Sequence, residues 1–494
     1  MKKLKMVINT EDRQAHIEPE IYGHFSEHLG RCIYNGIFVG EDSPIPNIHG
    51  IRKDIVDAFK AIKLPVLRWP GGCFADEYHW KDGIGPKESR KKMVNTNWGG
   101  VVEDNSFGTH EFMELCELVG CEPYIAGNVG SGSVQELAEW IEYMTFDGIS
   151  PMAQLRRENG RDKPWRFKYL GIGNEAWGCG GNMTADYYSG VYRQYRSFCK
   201  DYSGNWLYHI ACGPSGDDYN WTEVMMKTLK PTGWWTAKGL SLHYYTVPDW
   251  SNKGLACEFD ESGYYRIIKG AAYIEDIIEG HSRIMDRYDP KGEVALIVDE
   301  WGTWYDVEPG TNPGFLFQQN TMRDAVVAAV SLNIFNRHAK RVKMANLAQA
   351  VNVLQALILT EGEKLVKTPT YHVFDLFKEH QGGECVYCYS ENEEIEGSEG
   401  VKLLSSSASV KDGVLTLTLC NTSLTEGTEI SCDLCDFPGK EAEARLLTGE
   451  AHDHNTFDAP ENITIKPADV KLEGRKLSIE LPPCSVAEIR IKKQ

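Results

Sequence analysis

Long hydrophobic runs are missing from this 494-residue chain. Nothing approaches the roughly 18 consecutive apolar residues that a helix needs to cross a bilayer, so no membrane span is expected. The first residues, MKKLKMVINTEDRQ, carry lysines but neither an apolar core of ~7–15 residues nor a small-residue cleavage pattern. A secretory leader is therefore not expected, and the expected location is the cytoplasm. Positive charge is also short. Lys and Arg number 52 against 71 Asp and Glu, a net charge of −19, and phosphate binding needs clustered cations. Nucleic acid is thus not an expected partner, whereas a neutral substrate suits the balance.

Cysteine is sparse for the length, at fourteen, and in a reducing compartment most are expected free and buried. Two CxxC pairs, Cys385 with Cys388 and Cys432 with Cys435, have the arithmetic of a structural zinc site. Both lie in strand-like stretches, where residues three apart point to opposite faces, and neither has a glycine-rich knuckle. Core cysteines without a metal are the expectation, and no cofactor is implied. A phosphate-binding G-x-G-x-x-G after an early strand is absent as well.

What is present is the composition of a soluble globular protein, 42% hydrophobic and 25% charged, in a chain too long for one ordinary core. Between residues 17 and 380, short apolar strands alternate with amphipathic stretches. The strands end at His24 to Glu27, Leu67 to Gly71, Ile125 to Asn128, Ile172 to Glu175, Ala211 to Pro214, Leu242 to Tyr245, Ile297 to Glu300 and Leu347 to Gln349. Segments such as HEFMELCELVG, VQELAEWIEYM and DAVVAAVSLNIFNRH place apolar residues at helical spacing, and several follow a Ser, Thr or Asp able to cap them. Eight strand–helix units imply a (β/α)8 TIM barrel, of fold class α/β. A doubly wound sheet is the alternative, weakened by the missing glycine loop. After residue 380 short alternating runs such as VLTLTL, KLSIEL and VAEIRI read as a C-terminal antiparallel β-sandwich. The opening KLKMVINT reads the same way, so the expected domains are 17–380, and 1–16 with 381–494.

Active sites of this barrel sit at the carboxyl ends of the strands. Two ends carry glutamate beside tryptophan: KYLGIGNEAWG closes the fourth strand with Asn174 and Glu175, and ALIVDEWGTWYD closes the seventh with Asp299 and Glu300. One such glutamate is ordinarily an ion-pair partner or a cap. Two facing each other across a barrel mouth suit glycoside cleavage, where one carboxyl protonates the departing oxygen and another meets the oxocarbenium-like carbon. Spacing does not say which does which. Successive strand residues alternate in direction, so Asp299 is expected behind the barrel wall, tied to backbone or Arg, with Glu300 inside. His24, Glu27 and His28 invite a metal reading, but a strand end does not make i, i+4 side chains converge.

The blocks IYGHFSEHLG, LRWPGGCFADEYHWKDGIGP, GIGNEAWGCGG, SLHYYT, VDEWGTWY and KMANLAQAVNVL resemble, in this order, those of glycoside hydrolase family 51, whose typical members are α-L-arabinofuranosidases. The resemblance spans residues 20 to 360 and implies Glu175 as acid/base, Glu300 as nucleophile, and Asn174 as a partner of the sugar 2-hydroxyl. It also places Glu27, Arg68, Cys73, Trp98, Tyr245 and Gln349 around the terminal sugar. His243 is implied as a hydrogen-bonded supporting residue rather than a proton donor. Arg68 has a blander role open to it, satisfying buried carboxylates, and Trp98 another, anchoring its loop. Many members carry Asn where this chain has Cys73; a thiol is a weak hydrogen-bond partner, so one sugar contact is altered. The implied activity is retaining, exo-acting hydrolysis of α-L-arabinofuranosyl ends from arabinan, arabinoxylan or derived oligosaccharides. A homo-oligomer is also implied, hexamers being common in the family.

Rival functions are a β-xylosidase or endoglucanase on the same barrel, a silent carbohydrate-binding protein, and a metal-dependent hydrolase or isomerase. The loop after Glu300, WGTWYDVEPGTNPG, is expected to separate a closed pocket from an open cleft. A chelator assay separates the last rival: turnover unchanged by EDTA is expected for the glycosidase, and its loss would identify the metal enzyme.

Overall fold

A computed structural model describes residues 1–229 and 236–493. Eight parallel strands close into a barrel: Gly23–Phe25, Val66–Trp69, Glu122–Gly127, Tyr169–Ile172, Tyr208–Ala211, Gly239–Thr246, Ala295–Thr303 and Val342–Ala348. Each strand is covered on both faces, which is why the sequence shows unbroken apolar runs rather than alternation. Inward-facing Val66, Tyr124, Tyr169, Ile210, Ala295, Ile297 and Met344 fill the floor. Leu67, Ile125, Leu170, Leu296 and Val298 face outward and join the core beneath the helices.

Helices follow the strands, among them Thr109–Val119, Val134–Thr145, Ala185–Phe198, Tyr219–Thr228, Glu261–Tyr288 and Met322–Arg337. Their starts are set by side chains that satisfy otherwise orphaned backbone N–H groups. Ser133, Thr184, Asp218, Asp260 and Thr321 each accept such a bond.

Ten further strands form one sheet, in the order Lys466–Ala468, Gly439–Thr448, Ser485–Lys493, Val414–Asn421, Leu404–Lys411, Glu384–Ser390, Lys2–His16, Thr428–Asp433, Lys476–Leu481 and Val470–Glu473. All neighbours are antiparallel except Lys2–His16 beside Thr428–Asp433. The N-terminal strand thus lies between C-terminal ones. Gly439 donates its N–H to the Gly474 carbonyl at 3.0 Å, so the sheet curls round a core that includes Leu4, Met6, Ile8, Leu415, Leu417, Ile479 and Ile489. The CxxC pairs split as strand geometry requires: Cys385 joins the barrel-side core, whereas Cys388 and Cys432 pack on the core of the sheet.

Helix Met322–Arg337 is buried along almost its whole length, because the barrel covers one side and the sheet the other. Its polar groups are matched across that boundary. Asn333 Oδ1 accepts from Ser407 Oγ at 2.7 Å and Thr418 Oγ1 at 2.8 Å, and Asn336 Nδ2 donates to Ser407 Oγ at 3.0 Å. Asn333→Ala strips an acceptor from two buried hydroxyls. A stability loss of about 1–3 kcal/mol is expected, measured as a lower Tm with KM nearly unchanged.

Candidate active site

The site starts with the segment after the second barrel strand. Trp69-Pro70-Gly71-Gly72-Cys73 crosses the barrel mouth so closely that side chains would not fit. A Cβ on Gly71 would lie 2.6 Å from Glu27 Cγ, and one on Gly72 would lie 2.7 Å from Glu300 Oε1. The two glycines let main-chain N–H groups serve the site. Glu27 Oε1 accepts from Gly72 N at 2.9 Å, Phe74 N at 3.1 Å and Trp98 Nε1 at 3.1 Å. Gln349, which follows the last strand, donates Nε2 to Glu27 Oε2 at 2.9 Å. Glu27 Oε1 is thus fully bonded, while Oε2 holds a single donor. His24 packs at a tilt on Phe374 and His28 stacks on Phe74, so these three residues do not converge.

Arg68 points into the barrel and is 1% exposed. Its Nη1 donates to Glu300 Oε1 at 2.7 Å and its Nη2 to Asn174 Oδ1 at 2.6 Å, while Nε lies 3.7 Å from Asp299 Oδ2. Tyr245 OH donates to Glu300 Oε2 at 2.9 Å. His243 Nδ1 lies 2.8 Å from Glu175 Oε1 and 3.4 Å from Glu300 Oε2, with Nε2 3.2 Å from Asp299 Oδ1. Oxygens of Glu175 and Glu300 and a ring nitrogen of His243 all lie within 4.8 Å of one another. Glu175 itself has φ 39°, a left-handed conformation uncommon outside glycine. Its carbonyl accepts from Gly178 N at 2.7 Å and Gly180 N at 3.1 Å, which holds the turn.

Asp299 corrects the expectation from alternation. It does not lie behind the wall. It is inside, under Glu300, accepting from Tyr124 OH at 2.7 Å. The pairing of the sixth and seventh strands slips between Ser241 and His243, where Ile297 and Glu300 are the partners. The extra residue is a bulge, and it lets Asp299 and Glu300 both face the cavity.

The charges are mutually dependent. Burial alone would lower the pKa of His243, but Glu300, Asp299 and Glu175 outweigh it and raise it to about 10. Burial pushes the Glu300 carboxyl above its ordinary range, with the Glu175 charge adding to the rise, while His243 and Arg68 pull against it. Burial would also raise Asp299, yet Arg68 and His243 hold it below the usual range. Burial moves Glu27 up to about 7.

The family model for the α-L-arabinofuranosidase 1 domain matches residues 58–262, and that for the α-L-arabinofuranosidase C-terminal domain matches 299–485. An intracellular exo-α-L-arabinofuranosidase of Bacteroides ovatus is 50% identical over 99% of this chain and 96% of its own. Among solved structures, the GH51 arabinofuranosidase of Xanthomonas axonopodis pv. citri superposes with a TM-score of 0.97, at 44% identity and full coverage of both chains. The chain belongs to glycoside hydrolase family 51. The α-L-arabinofuranosidase of Thermotoga maritima, solved as an arabinose complex, is also similar (TM-score 0.88, 31% identity, 99% of this chain and all of the other).

In this family 51 protein Cys73 is not the free thiol expected. It is bonded to Cys179, with a Cα–Cα distance of 5.5 Å. A disulfide has no S–H to donate, so Cys73 offers a sugar even less than a thiol would. The two sulfurs lie 3.9 and 3.4 Å from Glu175 Oε2. Cys179 was missed because it lies 106 residues from its partner, and connectivity is not deducible from sequence. Asp299 was missed because a bulge has no sequence mark here. Trp304, packed edge-on against Tyr245 at 5.0 Å, and exposed Trp250, 5.5 Å from Trp304, are further residues at the mouth.

His243→Gln removes the positive charge shared by the carboxylates. The acid limb of kcat/KM is expected to move up by ~1–3 pH units, since Glu300 then protonates more readily. An unmoved limb in a pH–rate profile would show that His243 has no electrostatic part.

Proposed function

We propose that this protein is a retaining, exo-acting α-L-arabinofuranosidase, removing α-L-arabinofuranosyl ends from arabinan, arabinoxylan or their oligosaccharides. The observation that carries the reading is the carboxylate pair: oxygens of Glu175 and Glu300 lie within 4.8 Å, the close spacing of an enzyme that works through a covalent intermediate. The exo-α-L-arabinofuranosidase activity named for the B. ovatus relative and the arabinose of the T. maritima complex support the sugar assignment.

In this reading Glu300 attacks the anomeric carbon while Glu175 gives its proton to the departing oxygen. Glu175 then takes a proton from water, which attacks the same carbon and frees Glu300. Tyr245 and Arg68 occupy both Glu300 oxygens and so fix the carboxylate before reaction. Asn174 is oriented by Arg68, leaving its amide for the 2-hydroxyl. Glu27, Gln349 and Trp98 recognise the rest of the furanose. The loop after Glu300 favours a closed pocket over an endo-acting cleft: Gly314 and Phe315 lie against Gly99 and Gly30 and wall off the side beyond Trp98. Trp250 and Trp304 form a ledge on the remaining open side, where the leaving group stacks.

The same reading places the protein inside the cell, as the B. ovatus relative's name states for that protein, acting on oligosaccharides. It also takes residues 17–380, and 1–16 with 381–494, as the two domains, and the assembly as a homo-oligomer, a hexamer being the size the family resemblance implies.

The test uses aryl α-L-arabinofuranosides. Glu300→Ala and Glu175→Ala are each expected to lose ~10²–10⁴-fold in turnover. Azide then separates the roles: the first variant yields an inverted glycosyl azide and the second a retained one. Near-native turnover in both variants refutes the pair, and identical azide products refute the assignment.

A further inference from the structure

Two loops meet beside Glu175 through sulfur. Cys73 comes from the loop after the second barrel strand and is half-buried; Cys179 comes from the loop after the fourth and is exposed. The two sulfurs and a Glu175 oxygen all lie within 4.8 Å of one another. While the S–S bond is intact, neither sulfur has a thiolate to offer a metal. Once it is opened, the same three side chains present two thiolates and a carboxylate to one point. That is a donor set for a soft or borderline cation, with Zn²⁺ taking four-coordinate geometry and Zn–S bonds of about 2.3 Å. Such bonds need the sulfurs only ~3.8 Å apart, which rotation of the side chains on a 5.5 Å Cα–Cα span provides.

We propose that reduction of the Cys73–Cys179 disulfide creates a Zn²⁺-class metal site with Glu175 as third ligand, and that its occupation switches the enzyme off. The inhibitory half of this rests on Glu175 being the acid/base; the metal site itself does not. The reduction is a two-electron exchange. A thiol or phosphine reductant supplies both electrons to the S–S bond, protons complete two S–H groups, and the reductant leaves as its disulfide or phosphine oxide. Zn²⁺ then displaces the two thiol protons to solvent. With a carboxylate oxygen of Glu175 on the metal, no proton can be held there for the leaving group.

Glu175, His243 and Glu300 are the other three-residue ligand cluster among the described residues, and they make a poorer site. Both His243 nitrogens face carboxylates, at 2.8 Å to Glu175 and 3.2 Å to Asp299, so the ring spends its N–H groups there and keeps no lone pair for a metal. That cluster is also indifferent to reduction, which makes the two sites separable.

The full-length protein is prepared oxidised, and separately reduced with a phosphine and desalted without oxygen. Zinc is then titrated into each while aryl arabinofuranoside turnover is followed. The reduced form should lose at least about ten-fold in rate at a Zn²⁺ concentration that leaves the oxidised form unchanged, and EDTA should restore it. Metal analysis after gel filtration should find one more zinc per chain in the reduced form, with two thiols shielded from alkylation. Cys179→Ser, measured against its own zinc-free rate, should show neither the loss nor the extra zinc. Equal zinc sensitivity in oxidised, reduced and Cys179→Ser protein would overturn the proposal by placing the cation elsewhere. So would a disulfide that stays closed in reductant, or no extra zinc on reduction. Extra zinc without inhibition would overturn the switching half of the proposal and leave only a metal site on the two thiolates.

Discussion

The buried guanidinium of Arg68 is the constraint from which the site is built. A charge this deep is tolerated only when it is paired and hydrogen-bonded, and Arg68 donates to Glu300 and Asn174 with the Asp299 carboxylate 3.7 Å from its Nε. Those partners come from the fourth and seventh strands, so one side chain spans the barrel mouth and fixes the distance between the elements that carry the reacting groups. The face of the guanidinium rests on the Phe25 ring at 4.5 Å, which ties the first strand to the same centre. A lysine would keep the charge but lose the fork that holds two partners at once.

His243 completes the balance. Arg68 and His243 are two positive groups facing Asp299 and Glu300, two negative ones, all four buried. Glu175, with its side chain 18% exposed, stands at the edge of this set. The proton that moves in the proposed reaction is therefore handled at the rim. Glu27 belongs to a different kind of environment. Four N–H donors surround it, and no ion pair among the described residues offsets the burial that moves its pKa up to about 7.

Much of this was legible in the sequence, for identifiable reasons. Strands buried on both faces leave apolar runs that stop where polar residues begin, and the stops at Glu27, Arg68, Asn174, Tyr245, Glu300 and Gln349 are the residues that meet at the barrel mouth. Capping residues such as Ser133 and Thr184 mark helix starts because the orphaned N–H groups behind them have no other partner. The misses have a common cause. A bulge adds one residue and reverses the facing of all that follow, so strict alternation sent Asp299 to the wrong side. The Cys73–Cys179 bond joins segments whose proximity exists only once the second and fourth strands lie in one barrel, and nothing local in WPGGCF or NEAWGCGG records it.

The same loop that carries Cys73 shows how closely the chemistry and the fold are coupled. Gly71 and Gly72 have no room for a side chain because Glu27 and Glu300 press on the main chain from either side. That contact gives Glu27 its backbone donor from Gly72 and sets how deep Glu300 sits. Nearby, Phe315 lies against Gly30 and Gly314 against Gly99, beside the tryptophan whose indole N–H serves Glu27. Pocket depth and pocket closure are thus both set by backbone passing at glycine, not by the charged residues. Enlarging any of these glycines would displace a wall and the carboxylate leaning on it together, so the specificity for a single terminal sugar and the geometry for cleaving it cannot vary independently in this barrel.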